Sequence, residues 1–386
     1  MDMVSFAFND DHLEFAKTLR AFSDRELLPR YRERSAVTDY PFDALKQLGD
    51  LGVLGIGLPE EFGGTGEDDP VLLGLATETL AGGDINVASG PVQTGLVASQ
   101  FKYCGKAIQD RYLPPLIAGT ETAAIALTEP GSGSDSSALR TTATPVDGGW
   151  VLRGEKTAIT SAMNATTAIV YAREPGSSRS TGVSGFVVPM DALGVTAHPM
   201  LGMGCLPLGW GSIHLNDVFV PTDHLIGEQG RGFHSVMNHF DFSRAALGLL
   251  CLGAARQSLD EAIAYAQERQ SFGQPLADYQ GISFLLAEQA TYLEAARWLC
   301  YKALWLRSVG EPHTALASMG KWWPPLVAKS AIEVAMRVHG NLGYSAEFPL
   351  QQRYRDVMAY LVADGTAEIQ KRIIANTIFT NKSAAL

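Results

Sequence analysis

The chain has 386 residues and a net charge of −11 at neutral pH, and 46% of its residues are hydrophobic and 18% are charged. This length predicts two or three domains, and the acidic balance argues against a nucleic-acid-binding protein, because such binding depends on a basic surface. No apolar run approaches the ~20 residues that cross a bilayer, and the four cysteines include no CxxC pair, so neither a disulfide nor a metal site is expected.

Residues 1–122 are predicted to form an α-helical domain. Asp10 and Asp11 stand before an apolar stripe with helical spacing, which indicates a capped helix start, and residues 41–52 predict a second helix. The acidic N-terminus, which includes Asp2, has neither an apolar signal-peptide core nor an Arg-rich presequence. This start favours a cytoplasmic protein.

Residues 123–230 have a different texture. Short runs of β-forming residues, such as 168–171 and 185–188, are separated by Gly, Pro, Asp and Ser, which is typical of an antiparallel β domain. Over residues 231–386 apolar side chains recur every three or four positions, which predicts long helices packed as a four-helix bundle. The segment 321–325, Lys-Trp-Trp-Pro-Pro, is expected to kink or restart one of these helices, because proline cannot complete the hydrogen-bond ladder. The predicted fold class is therefore α+β.

Five short segments combine glycine with polar or charged residues where the predicted elements meet. The first, a Pro-Gly-Ser-Gly-Ser loop, brings backbone N–H groups and hydroxyls close to an anionic ligand, although a plain turn explains the same residues. The second predicts a strand followed by a turn, and the third and fourth are typical of helix ends. In chain order the segments are 128–135, 154–161, 268–280, 337–344 and 364–370.

The fifth segment contains a candidate base. Asp364 precedes a glycine and follows the apolar residues 360–363, so its carboxylate is expected to be poorly solvated. Poor solvation raises the pKa of a carboxylate and allows it to act as a general base. An acid that caps the following helix is the competing interpretation.

In this order and at these separations, the five segments resemble the acyl-CoA dehydrogenase family over essentially the whole chain. The resemblance implies the acyl-CoA dehydrogenase fold, FAD bound non-covalently between the β domain and the C-terminal bundle, and a homotetramer. It also implies α,β-dehydrogenation of an acyl-CoA thioester. No GxGxxG fingerprint for NAD follows a predicted strand, so electron-transfer flavoprotein is the expected electron acceptor.

The resemblance assigns roles residue by residue. Asp364 holds the position of the usual base. Some relatives place their base just before the Arg244 position, where this chain has Ser243. The residues implied in FAD binding are Ala126, Leu127, Thr128, Gly133, Ser134, Ile159, Thr160, Arg269, Phe272, Gln280, Arg337, Gly340, Asn341, Thr366 and Glu368. The residues implied in substrate binding are Ser134, Asp241, Arg244 and Gly365.

Among the FAD residues, Thr128 is expected at the pyrimidine edge of the flavin and Ser134 at the pyrophosphate and the CoA arm. Ile159 and Thr160 are expected to face the reactive side of the flavin. A last group is implied to reach the FAD of a neighbouring subunit. That group consists of Arg269, Phe272, Gln280 and residues 337–341.

The chain departs from the family pattern at several positions. The base is Asp where most relatives have Glu, Ala158 replaces an aromatic residue, and Arg337 and Asn341 replace a usual Gln and Gly. The Asp base, Ala158 and the segment 321–325 resemble relatives that act on alicyclic acyl-CoAs such as cyclohexanecarboxyl-CoA.

Several alternatives stay open. The substrate class includes straight-chain and branched-chain acyl-CoAs. Relatives that form conjugated cyclic dienes carry a second acid in the N-terminal domain, and the corresponding segment 86–95, predicted as a loop, has none. A nitroalkane oxidase-like flavoenzyme, an acyl-carrier-protein dehydrogenase and a non-enzymatic binding protein are the rival classes.

Overall fold

The computed structural model describes residues 8–380, apart from the side chains of His234, Asn238 and His239. Asp2, part of the acidic start from which a cytoplasmic location is predicted, lies outside these residues. The N-terminal region is helical, as predicted. Its helices are α1 Asp10–Phe22, α2 Tyr31–Arg34, α3 Phe42–Asp50, α4 Pro70–Ala81, α5 Ile85–Phe101 and α6 Lys106–Ile117.

Two local predictions in this region need correction. The cap of α1 is Asn9, whose side chain accepts the backbone N–H of His12, and the two aspartates belong to the first turn of the helix. The segment 86–95 is not a loop, because it lies inside α5. Asp84 starts α5 by accepting the backbone N–H groups of Asn86 and Val87, and burial of the helix stabilises it despite an internal proline.

The middle region is an eight-stranded sheet. Its strands are β1 Ala123–Ala126, β2 Thr142–Val146, β3 Gly149–Ile159, β4 Thr167–Arg173, β5 Val183–Pro189, β6 Val195–Pro199, β7 Gly211–Pro221 and β8 Leu225–Ile226. The strand order is β6-β7-β3-β2-β4-β5-β8, and β1 pairs with β4. Most pairs are antiparallel, as predicted, but β4 runs parallel to β1 and, at Thr142, to the start of β2.

The parallel pairs have a physical reason. The chain enters the sheet as β1 and returns as β4 only after the β2–β3 hairpin, and such a long crossover allows a parallel neighbour. Along β4 the side chains alternate between two cores. Ile169 and Tyr171 pack towards the N-terminal helices, and Ala168 and Val170 pack on the other face.

The C-terminal region is a helical bundle. Helices α7, α8, α9 and α12 pack together, and a two-stranded hairpin separates α7 from α8. The elements are α7 Gly232–Glu268, β9 Gln270–Ser271, β10 Gln274–Pro275, α8 Gln280–Ser308, α9 Thr314–His339, α10 Asn341–Tyr344, α11 Leu350–Ala359 and α12 Ala367–Thr380.

The Lys-Trp-Trp-Pro-Pro segment neither interrupts nor restarts its helix, since Pro324 and Pro325 lie inside the continuous α9. Both prolines are buried, and α9 packs along α7 and α8. Tertiary packing therefore outweighs the two lost hydrogen bonds. No helix in the described part of the chain is long and apolar enough to cross a membrane.

Candidate active site

The first and second sequence segments are joined side by side at one end of the sheet. The backbone N–H of Thr157 donates to the carbonyl oxygen of Thr128 at 2.9 Å. The fully buried ammonium of Lys156 donates to the carbonyl of Leu127 at 3.1 Å and to Glu129 Oε1 at 2.8 Å. The start of the glycine-rich loop is thus fixed to β3 by main-chain and side-chain contacts.

Glu129 fixes the start of this loop through its side chain. Its carboxylate also accepts the backbone N–H groups of Arg140 at 2.5 Å and Thr141 at 2.9 Å. Burial alone would raise the pKa of Glu129, but the charge and hydrogen bond of Lys156 outweigh it, and the pKa is lowered. Burial lowers the pKa of Lys156 to about 8, against the opposing charge of Glu129. At neutral pH the pair is ionised.

Beyond Glu129 the loop is open to solvent. Gly133 and Ser134 are exposed, as is Gly131, and a Cβ added at either glycine would meet no atom within 4 Å. The loop therefore presents its backbone and the Ser134 hydroxyl to a ligand without steric obstruction. Ala126 and Leu127, in contrast, bury their side chains, so only their backbone is available to a ligand.

The end of β3 turns sharply. Ala158 and Ser161 have φ values of 55° and 62°, a left-handed conformation that is uncommon outside glycine and costs energy. Between them the Ile159 side chain is buried in the core of the sheet, whereas Thr160 is exposed. Because the Ile159 side chain points into the core of the sheet, only the main chain of this turn is available to a ligand.

Gln93, which the sequence did not single out, holds this turn. Its Nε2 donates to Ser161 Oγ at 2.8 Å and to the carbonyl of Ala123 at 2.9 Å. Gln93 lies in α5, a mostly buried helix whose partly exposed positions are residues 93–96 and Ser99. A glutamine in an apolar helix was the available signal, but its partner cannot be inferred from spacing.

Asp364 sits in a second left-handed turn. Its φ is 54° and that of Gly365 is 89°, and Gln370 Nε2 donates to the carbonyl oxygens of both residues at 3.1 and 3.3 Å. A Cβ at Gly365 would lie 2.6 Å from Gln370 Nε2, so a glycine is needed there. The carboxylate accepts a 2.8 Å hydrogen bond from Ser243 Oγ.

The predicted desolvation of Asp364 by residues 360–363 is not found in the single chain. Tyr360 is buried, but Val362 is 68% exposed and Ala363 is also exposed. Asp364 itself is half-buried. The apolar residues before it turn towards solvent, because the helix-like turn that carries them leaves the bundle surface at this point.

The two substrate residues predicted on α7 lie on either side of Ser243 in sequence and contact each other. Arg244 Nη1 donates to Asp241 Oδ1 at 2.5 Å, and Thr314 Oγ1 donates to Asp241 Oδ2 at 2.6 Å. Arg244 is buried, and its Nε has no hydrogen-bond partner among residues 8–380. A buried donor without a protein partner is costly, and a water or a ligand acceptor would satisfy it.

Helix α5 contacts both the turn at the end of β3 and the α7 segment that holds Asp364. Gln93 contacts the β3 turn, and two residues later Gly95 faces Phe242, whose Cε1 lies 3.7 Å from a Cβ added at Gly95. Phe242 precedes Ser243, the partner of Asp364. Helix α5 therefore links the β3 turn to the α7 segment that holds Asp364, and we take the space between these two turns as the candidate cleft.

Thr366 and Glu368 begin α12 directly after the Asp364 turn. Glu368 is exposed, and its pKa is lowered by hydrogen bonds from its own backbone N–H and from the Thr366 hydroxyl.

The third and fourth segments lie elsewhere. Arg269 follows α7 and stands 26 residues beyond Ser243, or about 39 Å along the helix axis. Tyr265 stacks on His339 with ring centroids 4.4 Å apart, which places the fourth segment at the same far end of the bundle. Their ligand-binding candidates project to solvent and do not reach Asp364 within one chain. They are Arg269, Phe272, Gln280, Arg337, Gly340 and Asn341.

Models of one protein family match nearly the whole chain. They are described as acyl-CoA dehydrogenase, N-terminal domain, over residues 9–120, middle domain over 124–218, and C-terminal domain over 230–379.

Individual relatives match over their full length. A subunit of the caffeyl-CoA reductase–Etf complex of Acetobacterium woodii is 31% identical, covering 96% of this chain and 99% of the relative. The structure of butyryl-CoA dehydrogenase from Megasphaera elsdenii superposes with a TM-score of 0.92 at 32% identity, covering 97% and 100% of the two chains. A glutaryl-CoA dehydrogenase from Mycobacterium smegmatis in complex with FADH2 gives a TM-score of 0.91 at 27% identity, covering 97% and 96%.

Proposed function

The chain belongs to the acyl-CoA dehydrogenase family, and from this premise we propose that it desaturates an acyl-CoA thioester with Asp364 as the base. Flavin-dependent dehydrogenation and the use of FAD follow from family membership. The observation that supports the assignment of the base is the left-handed turn of Asp364 and Gly365, in which the half-buried Asp364 carboxylate is hydrogen-bonded to Ser243 of α7.

The residues present fit FAD. The open loop at Gly133 and Ser134 offers backbone N–H groups and a hydroxyl to a pyrophosphate, and we assign the main chain of Thr128 and Thr160 to the flavin. When bound, FAD supplies the acceptor for the hydride that leaves the β carbon of the substrate. The buried, unpartnered Nε of Arg244 supports a role for that residue at the polar part of the substrate.

The protein's own part in the reaction is to take up one proton. Asp364 Oδ2 is held by Ser243, which leaves Oδ1 to accept the α proton. An α C–H is acidic enough only when the thioester carbonyl is polarised, and we assign one polarising donor to the backbone N–H of Asp364 itself. Base and donor then come from a single residue whose backbone is fixed by Gln370.

Asp364→Asn is the direct test. The amide is nearly isosteric with the carboxylate, so FAD content and acyl-CoA affinity should stay close to those of the wild type. Anaerobic bleaching of the flavin by butyryl-CoA should slow by roughly 10²–10⁴-fold, the usual contribution of a general base. Full bleaching activity in the purified variant would remove Asp364 from the mechanism.

The substrate we propose is an acyl-CoA with a ring on Cα, such as cyclohexanecarboxyl-CoA. Asp364 is one methylene shorter than the usual glutamate, and Ala158 gives the β3 turn a small side chain, so both leave room for a ring. Asp364→Glu should then impair cyclohexanecarboxyl-CoA more than butyryl-CoA, since one added methylene in a packed site costs about 1–3 kcal/mol. Equal losses on both substrates would favour a straight-chain or branched-chain enzyme instead.

We propose that electron-transfer flavoprotein accepts the electrons and that the enzyme is a homotetramer. The relative from a reductase–Etf complex supports the first proposal. The 39 Å separation along α7 supports the second, because the exposed residues around Phe272 would have to reach the cleft of another subunit. Rapid steady-state turnover with NAD as sole acceptor would contradict the choice of acceptor. The cytoplasmic location stays a prediction.

A further inference from the structure

Ser243 of α7 donates a hydrogen bond to the candidate base Asp364. It is a buried residue of α7, and its Oγ lies 2.8 Å from Asp364 Oδ2 across 121 residues of sequence. The same Oγ lies 3.1 Å from the carbonyl of Phe240, one turn earlier in the helix. A hydroxyl has a single proton to donate, and the shorter, charge-assisted bond to the carboxylate is the stronger of the two.

The backbone around Asp364 does not depend on this contact. On the C-terminal side, Gln370 Nε2 donates to the carbonyl oxygens of Asp364 and Gly365. Before it, the buried ammonium of Lys321 donates to the carbonyl of Tyr360 at 2.7 Å. Both sides of the turn are therefore tied to the bundle by main-chain acceptors.

The freedom that remains is that of the Asp364 side chain. A half-buried aspartate can rotate about two bonds, and only some rotamers direct an oxygen into the cleft. Among the described side chains, which exclude His234, Asn238 and His239, Ser243 is the one that donates to this carboxyl. The orientation of Oδ1 is thus decided by the bond that Ser243 makes to Oδ2.

We propose that Ser243 is a positioning residue for the reaction, which holds the Asp364 carboxylate so that its free oxygen points at the α carbon of the substrate. This inference rests on the proposed role of Asp364 as the base. Ser243 does not touch the reacting atoms. Its removal should slow proton abstraction while leaving substrate binding and FAD content unchanged.

The experiment uses the FAD-loaded enzyme and anaerobic stopped-flow bleaching with butyryl-CoA and cyclohexanecarboxyl-CoA, each unlabelled and deuterated at the α carbon. Ser243→Ala should slow bleaching about tenfold and increase the substrate isotope effect, with acyl-CoA affinity within about twofold of the wild type. Ser243→Thr retains the hydroxyl and should restore most of the rate. Ser258→Ala is the matched control, because Ser258 is also buried in α7 and its Oγ donates to the carbonyl of Ala254.

The outcomes separate the two claims. Loss of bleaching in Asp364→Asn, together with unchanged rate and isotope effect in Ser243→Ala, overturns the positioning role alone. Equal losses in Ser243→Ala and Ser243→Thr also overturn it, since a lost hydroxyl could not then be the cause. Normal bleaching in Asp364→Asn overturns the proposed base and this inference with it.

Discussion

At the scale of single residues, the pair of Glu129 and Lys156 determines how the glycine-rich loop is held. The ammonium is fully buried and the carboxylate nearly so, and together they contact Leu127, Arg140 and Thr141. Removal of one member of a buried, hydrogen-bonded pair typically costs about 3–5 kcal/mol, because the other charge is left without a partner. The pair is therefore a structural support for the loop that we assign to FAD.

Glu129→Gln should lower both the melting temperature and the FAD content of the purified protein. The new amide would direct an NH₂ group at donors and leave Lys156 buried without its counter-charge. Flavin absorbance per protein and thermal unfolding of the apoprotein measure the two effects. Glu155→Gln, at an exposed position of β3 next to Lys156, is the control and should change neither the melting temperature nor the FAD content. Unchanged flavin content in Glu129→Gln would show that the pair does not support the loop.

The same pair gives a pH dependence with a defined sign. The folded-state pKa of Glu129 is lowered, so its contribution to stability is present above the usual glutamate pKa of about 4 and is lost as pH falls through the lower folded value. The wild type should thus lose stability below pH ~4 more steeply than Glu129→Gln. Urea unfolding of the two proteins between neutral and acidic pH measures the difference.

Site residues were predictable from the sequence only where the signal lies within one short segment of the chain. The segments that contain Asp364, Thr128 and Ile159 were identified by their glycines and polar residues, and left-handed turns are found in the segments of Ile159 and Asp364. Their partners Ser243 and Gln93 were not identified, because each contact joins residues far apart in sequence. No spacing rule predicts such a pair.

At the scale of elements, the crossing of α7 and α9 fixes the position of the candidate base. Gly248 of α7 faces Gly320 of α9, and a Cβ at Gly248 would overlap the carbonyl oxygen of Gly320 and lie 2.7 Å from Cys300 Sγ. Ser243 lies just over one turn earlier in α7. A change in the distance between these helices would therefore change the contact between Ser243 and Asp364.

Gly248→Ala should destabilise the protein by roughly 2–3 kcal/mol and slow flavin bleaching, because the obstructing atoms belong to backbone that cannot move alone. Gly281→Ala in α8 is the matched control, since a Cβ there meets no atom within 4 Å. It should be neutral or stabilising by up to about 1 kcal/mol, the usual gain of alanine over glycine in a helix. Equal stability of the two variants in urea unfolding would contradict the close approach of α7 and α9.

Sequence patterns predicted the elements better than their interruptions. The long helices and the α–β–α order followed from apolar spacing, and the structure has them. The prolines at 324 and 325 suggested a break but lie inside a helix, as does Pro91 of the segment that was predicted as a loop. All three are buried, and the packing energy that retains the helices there is a property of the assembled core.

At the scale of the whole molecule, Asp356 connects all three regions. Its carboxylate accepts hydrogen bonds from Tyr31 and Asn86 of the N-terminal region, from the backbone N–H of Cys205 in the sheet region, and from Gln352 of its own helix. Four donors, 2.6 to 3.1 Å away, meet in one buried site. This site couples the folding of the three regions.

Asp356→Asn should destabilise the protein by about 2–4 kcal/mol, because the amide offers one acceptor in place of two and adds donors where donors already converge. Separate unfolding of the regions, seen as transitions that differ between fluorescence and circular dichroism, is expected in the variant. Asp110→Asn, at an exposed position on α6, should behave as the wild type. A single coincident transition at the wild-type midpoint would contradict the coupling role.

The far end of the bundle carries exposed residues to which we propose a role in the site of a second copy of the chain. Phe272 is 99% exposed with a φ of 48°, and Arg269 beside it is also exposed, about 39 Å from Ser243 along α7. A large apolar side chain so fully exposed and held in a strained conformation suggests an interface. If these residues bind the FAD of a neighbouring subunit, oligomer formation and FAD binding should be linked.

Arg269→Ala should weaken the oligomer and lower FAD content together, because a charge-assisted contact between guanidinium and phosphate would be lost from a shared site. Size-exclusion chromatography with light scattering and flavin absorbance measure both quantities on one sample, and added FAD should shift the variant back towards the oligomer. Arg231→Ala, an exposed arginine just before the other end of α7, is the control. A monomeric Arg269→Ala protein with full FAD content would show that one chain suffices to bind the cofactor, and the far end of the bundle would then have no part in the site.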